Sequence, residues 1–278
     1  MIDAHQHFWS LARGDYSWLT PALQPIYRDF GPDDLRPILA RHDIARTILV
    51  QAAPTVAETR YLLDLAHRTD FVAGVVGWSE LTAADAADAI DRLAGEAKLV
   101  GLRPMVQDIA DDDWLLQPGL APALDAMARA GLVFDALVLP RHLSRLRRVV
   151  ERHPALLIVI DHGAKPEIRA GKFESWAADI RRVAAAPNVF CKLSGLVTEA
   201  AAGWTDATLR PYVDHLLDVF GPARLLWGSD WPVVELAGGY DCWRAATDRL
   251  LASLDGEERA AILGGTAARV YRREASAC

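Results

Sequence analysis

Three imidazoles, one carboxylate and one guanidinium stand where side chains able to do chemistry are least expected, at the ends of apolar runs: His5, His7, His162, Asp230 and Arg103. His5 and His7 are one residue apart in Ile2-Asp3-Ala4-His5-Gln6-His7, and the two-residue side-chain period of a strand puts both rings on one face. Asp161-His162 closes the run Leu156-Leu157-Ile158-Val159-Ile160, Asp230 is the first carboxylate after Leu225-Leu226-Trp227-Gly228-Ser229, and Arg103 ends Leu99-Val100-Gly101-Leu102. Histidines and a carboxylate that converge can hold a divalent metal or move a proton. A guanidinium beside them suits a carboxylate or a carbonyl oxygen.

Something must bring these distant positions together. Eight short runs rich in Val, Ile and Leu are expected as strands: Ile2 to His7, Arg46 to Gln51, Phe71 to Trp78, Leu99 to Arg103, Leu132 to Val138, Leu156 to His162, Asn188 to Ser194 and Arg224 to Asp230. Most are nearly continuous apolar runs, as strands covered on both faces should be. Amphipathic helical stretches lie between them, over Asp33 to His42, Val56 to Arg68, Ala84 to Ala94, Pro118 to Ala130, Leu143 to His153, Phe173 to Ala185, Thr205 to Phe220 and Cys242 to Ser253. Eight alternating strand-helix units with no Ser/Gly-rich linker or shift in charge predict one (β/α)8 TIM barrel domain over residues 1–278. In such a barrel the active site gathers at the C-terminal ends of the strands, where the four chemically capable segments fall.

Two segments stand outside the repeat. Phe8 to Pro32 has no periodicity and carries Trp9, Tyr16, Trp18 and Tyr27; it is expected as an elaborated loop over the barrel mouth. Glu257 to Tyr271, interrupted by Gly264-Gly265, is expected as an extra C-terminal helix on the outside or base. Lys192 and Ser194 share one face of the seventh strand and are candidates for binding substrate, with a structural ion pair as the alternative for the lysine. Trp9, Trp78 and Trp231 lie just past strand ends, where indoles stack on the C–H faces of sugars. The Arg-rich stretch Arg141 to His153 is expected to be a solvated helix.

Composition excludes several classes. With 51% apolar and 24% charged residues the 278-residue chain can bury a large core and is not disordered. Thirty Lys plus Arg against 37 Asp plus Glu give a formal charge of −7, with no basic stripe for nucleic acid. No apolar run is long enough for a bilayer and Met1 to His5 shows no signal-peptide pattern, so no membrane partner and a cytoplasmic location are expected. Cys191, Cys242 and Cys278 make no CxxC pair and are read as incidental thiols.

The local signatures Ile2-Asp3-Ala4-His5-Gln6-His7-Phe8-Trp9, Gly101-Leu102-Arg103, Ile160-Asp161-His162-Gly163, Cys191-Lys192-Leu193-Ser194-Gly195 and Trp227-Gly228-Ser229-Asp230-Trp231-Pro232 together resemble the lactonase branch of the amidohydrolase superfamily (amidohydrolase family 2). The resemblance runs from Ile2 to about Arg272. It implies a hydrolase that opens a small-molecule sugar lactone, such as a lactone of fuconate or rhamnonate, in carbohydrate catabolism. Members with two metals use a carbamylated lysine at the end of strand four and a histidine at the end of strand five. Here Arg103 occupies the first position and the histidine nearest the second is His142, so a binuclear site is not expected.

His5, His7, His162 and Asp230 would still hold one zinc, while lactonases of this branch are also implied to work without a metal. The expectation is therefore no required cofactor, with one divalent metal as the alternative. In the metal-free form Asp230 would act as general base, and His5, His7, His162 and Arg103 would polarise the carbonyl. The competing expectations are a zinc-dependent decarboxylase or C–N hydrolase of the same superfamily and an inactive barrel that only binds. A monomer or a homodimer is expected.

Overall fold

The computed structural model describes residues 1–272; Cys278 lies outside them. Its eight strands are β1 Ile2–Gln6, β2 Arg46–Val50, β3 Val72–Gly77, β4 Leu99–Leu102, β5 Val133–Ala136, β6 Ile158–Ile160, β7 Val189–Leu193 and β8 Leu225–Trp227. They pair in parallel in the order β1 to β8, with a helix following each, which is the (β/α)8 TIM barrel.

The seam between β8 and β1 is laced by residues just past the end of β8. The Asp230 N–H donates to the His5 carbonyl at 2.8 Å and the His7 N–H to the Trp231 carbonyl at 2.7 Å. The bonds that close the barrel therefore also set Asp230 beside the two histidines of β1.

Side chains of Ile48, Val50, Val76, Val100, Val133, Val159, Phe190 and Leu226 fill the barrel interior. Ala4 joins that interior cluster, although its neighbour His5 also faces the axis. The two adjacent residues can do so because the β1–β2 register slips between Asp3 and Gln6, a bulge that turns His5 and His7 inward above Ala4.

The strands end one to three residues earlier than their apolar runs suggest. After β6 and β8 the reason is local: His162 and Asp230 take left-handed backbone conformations, with φ of 54° and 60°, which no ladder accommodates. Both are non-glycine residues at a cost of order 1–3 kcal/mol each, the kind of strain that concentrates at functional sites. The C-terminal helix is also broken, into Gly256–Ala260, a wide turn at Ala261–Gly265, and Thr266–Val270. That break lets Ala267, Val270 and Tyr271 close the barrel base.

The segment after β1 folds over the mouth as the sequence suggests. Trp9 and Phe30 exchange two backbone hydrogen bonds of 3.0 Å, and Phe8, Trp9, Tyr16, Leu19, Ile26 and Phe30 are buried beneath it. Its tether is Glu58 on the helix Val56–Arg68: the carboxylate accepts from Tyr16 Oη at 2.8 Å and from the Ala52 N–H at 3.2 Å.

Burial pushes the Glu58 carboxyl up from 4.5 to about 7, against the opposing hydrogen bonds from Tyr16 and Ala52 and the charge of Arg13. Between those two values the folded chain holds the extra proton. The stability from protonated Glu58 is thus fully present below about pH 4.5 and is lost as pH rises to about 7, by about 3 kcal/mol. Chemical denaturation of wild type and Glu58→Gln across that window should show the wild-type curve falling relative to the variant; parallel curves would contradict the assignment.

Candidate active site

The ring of His7 is fixed from behind: its Nδ1 lies 2.7 Å from the Val50 carbonyl, an acceptor, so Nδ1 carries the hydrogen. In the neutral ring the lone pair of Nε2 then points at Asp230 Oδ1, 3.3 Å away, and at His5 Nε2, 3.2 Å away. Asp230 Oδ1 is also 3.6 Å from His5 Nε2 and 3.9 Å from His162 Nε2. Three imidazole nitrogens and one carboxylate oxygen thus converge. Burial alone would raise the Asp230 carboxyl, but the positive charge that the facing His162, His7 and His5 carry when protonated holds it well below the usual carboxylate range. Burial chiefly lowers His162, to about 4, and lowers His5 well below the usual value, so both rings are neutral near pH 7.

Each approach is tight enough to demand glycine nearby. A Cβ at Gly228 would stand 2.7 Å from the Cβ of His5, and one at Gly195, where φ is +62°, would stand 2.5 Å from His162 Nδ1. The same Nδ1 lies 2.8 Å from Ser194 Oγ, which fixes the tilt of the ring.

Below this cluster the barrel axis carries a chain of buried charges. Lys192 Nζ lies 2.5 Å from Asp135 Oδ2, 2.9 Å from Asp161 Oδ1 and 3.2 Å from His5 Nδ1. Arg103 donates to Asp161 Oδ2 at 3.0 Å and to the Gln51 carbonyl, and its Nη1 lies 3.4 Å from His5 Nε2. Tyr271, from the base, donates to Asp135 at about 3 Å. Burial would raise Asp161, but Lys192, His5 and Arg103 overcome it and hold that carboxyl well below its ordinary value.

A cavity of about 180 Å³ opens above the cluster, with His7, Arg103, His162 and Asp230 in its wall together with Trp18, Gln107 and Lys165. The other sequence candidates do not line it. His5 is fully buried one layer down, so it cannot touch a carbonyl held in the cavity as expected of it. Lys192 is likewise fully buried as the ion-pair partner of two aspartates and does not line the cavity, and Ser194 meets His162 instead. Trp9 and Trp231 are packed against Phe30 in the covering loop, whereas Trp78 borders a second, larger cavity. His142 faces Asp112 and the Leu139 N–H, far from a ligand position on the cluster.

Some wall residues gave no sequence signal. Lys165 reaches the cavity from the turn after β6, held by Gln107 Oε1 at 3.1 Å and Glu199 at 3.2 Å. Trp18 arrives from an aperiodic loop. Asp135 was detectable, since it shares the inward face of β5 with Val133 in Val133-Phe134-Asp135-Ala136.

The donor set fits a divalent metal. His5, His7 and Asp230 each offer one ligand atom, all within 4.8 Å of one another, and His7 Nε2 and Asp230 Oδ1 are two acceptors that need positive charge between them. The hydrogen bonds to Val50 and Ser194 are the outer contacts that orient metal-binding histidines.

The Amidohydrolase family profile matches residues 2–273, and the chain belongs to that family. It is 51% identical to the L-fucono-1,5-lactonase of Burkholderia ambifaria, over 98% of this chain and 95% of that protein. It is 39% identical to the L-fucono-1,5-lactonase of Burkholderia multivorans, over 97% of this chain and 95% of that protein. A crystal structure of a Burkholderia multivorans amidohydrolase with bound zinc superposes with a TM-score of 0.91 at 37% identity, covering 97% of this chain and 98% of that one. Among the described residues no helix is long and apolar enough to cross a membrane.

Proposed function

We propose that this chain is a lactonase that hydrolyses a sugar-derived 1,5-lactone of the L-fucono type to the free acid. The observation that carries this reading is the 51% identity, over nearly the full length of both chains, to a protein named for that activity. The cavity agrees with it: 180 Å³ suits one small ring, and its wall supplies a base, imidazoles and cations at one end.

Asp230, ionised near pH 7, takes a proton from water as the water oxygen adds to the lactone carbonyl carbon. His162 and Arg103 face the carbonyl oxygen and stabilise the negative charge it gains, while His7, an acceptor at Nε2 in its neutral form, takes a hydrogen bond from the attacking water beside Asp230. When the C1–O5 bond breaks, Asp230 returns its proton to the ring oxygen. The acid that forms releases the second proton of the water, so the net reaction is lactone plus water to aldonate and H⁺. His5 acts on these groups from below, through Asp230 and His7. Lys165 and Arg103 supply the positive charge that suits the product carboxylate. A divalent metal held by His5, His7 and Asp230, with His162 beside them, would polarise the carbonyl and acidify its water.

A pH-indicator assay over stereoisomeric 1,4- and 1,5-lactones tests the reading. L-Fucono-1,5-lactone and its close stereoisomers should release acid fastest; a chain that opens none of them contradicts the proposal.

The position of His162 has its own test. In Gly195→Ala the new methyl group would displace the imidazole from Ser194, and the left-handed backbone adds about 1–2 kcal/mol of cost. Turnover should fall at least about tenfold with a modest loss of melting temperature, because misplacing a positioned group by about 1 Å can cost about 10²-fold. Unchanged kcat would remove His162 from the reaction.

A further inference from the structure

The cavity over Asp230 has a larger neighbour. Trp18, Met105 and Asp108 belong both to its wall and to that of a neighbouring cavity of about 710 Å³ between the covering loop and the segments after β3 and β4. The two spaces are thus neighbours that share these three side chains as a wall, and the outer one is far larger than the ring the reaction needs.

The chemistry of the two differs. The inner wall carries Arg103 and Lys165, which suit the carboxylate end of the product. The outer wall, among the described residues, carries no lysine, arginine or histidine. It presents three indoles, Trp18, Trp78 and Trp114, with the carboxylates of Glu80 and Asp108. Flat apolar faces with carboxylate acceptors beside them match an uncharged polyol ring, whose C–H face lies on an indole while its hydroxyls donate to the acids. The same wall repels an anion. In a 1,5-lactone C4 lies across the ring from C1, so with C1 at Asp230 a substituent on the C4 oxygen points away from the catalytic cluster.

Resting on the lactonase reading above, we propose that the outer cavity is a subsite for a second, neutral sugar unit, and that the enzyme takes 4-O-glycosylated aldono-1,5-lactones as well as the single-ring lactone. The reaction is unchanged: water adds at C1, the C1–O5 bond breaks, and the glycosidic bond is untouched.

The test compares initial rates on L-fucono-1,5-lactone, its 4-O-β-D-galactosyl derivative and its 4-O-benzyl derivative. The galactosyl lactone should show a KM about tenfold below that of the parent, the worth of one good aromatic contact. Trp114→Ala, which strips one indole from the outer wall, and Thr82→Trp, which fills the cavity from its rim, should each abolish that advantage and leave kcat and KM for the parent unchanged. Normal turnover of the parent shows that each variant has folded.

A galactosyl lactone that is refused or binds no better than the parent overturns the subsite. So does an advantage that survives both variants, and a benzyl derivative preferred over the galactosyl one would make the cavity an aryl site instead. If the parent lactone itself is not opened by the wild type, the lactonase reading fails first and the subsite falls with it.

Discussion

Replacing Asp230 with Asn should lower kcat on L-fucono-1,5-lactone by roughly 10²–10⁴-fold, the range expected when a positioned general base is removed. The fold should survive. Asn tolerates the left-handed backbone at φ +60° as well as Asp does, its N–H still donates to the His5 carbonyl, and its amide can still meet His7. What is lost is the negative charge that three imidazoles surround and the oxygen that takes a proton from water. Melting curves that superpose while turnover collapses would assign the loss to chemistry, and metal content measured on both proteins would show whether ligation changed as well. An Asp230→Asn enzyme with wild-type kcat would place the base elsewhere.

The largest expected loss of stability comes from a residue outside the cavity wall. Lys192 is fully buried between Asp135 and Asp161, and Lys192→Met leaves two carboxylates in the barrel interior with only Arg103, His5 and Tyr271 to face them. Removing one member of a buried ion pair costs about 3–5 kcal/mol, because the partner's charge stays behind without its water. For a chain of this length that is a fall in melting temperature on the order of 10 °C. Adding Asp135→Asn to Lys192→Met should recover part of the loss by removing one stranded charge. A melting temperature within a degree or two of wild type for the single variant would show that the pair contributes no net stability.

The barrel was readable because its signal is repeated eight times: each βα unit shows the same alternation of an apolar run and an amphipathic stretch, and an error of two residues at one boundary leaves the count intact. The polar residues at the run ends were readable for a related reason, since a charge at the end of a fully buried strand has few places to go. What sequence spacing could not decide was depth. His5 and His7 are equivalent by period, yet the bulge in β1 and the short closure of β8 put one against Lys192 and the other in the cavity wall. Lys192 and Ser194 likewise sit on the inward face as their spacing says, but below the cavity floor, where an ion pair and a hydrogen bond to His162 use them fully. Trp9 and Trp231 were drawn into packing by the loop whose course aperiodic sequence does not encode, and Trp18 and Lys165 reach the wall from turns with no pattern at all.

The most direct test of the account is hydrolysis of L-fucono-1,5-lactone by the purified wild-type protein in ¹⁸O-labelled water, with the product read by mass spectrometry. Attack of water on the carbonyl above Asp230, followed by cleavage of the C1–O5 bond, predicts rapid ring opening with one labelled oxygen in the carboxylate and none at C5. No ring opening above the buffer rate, or label at the C5 hydroxyl, would contradict it.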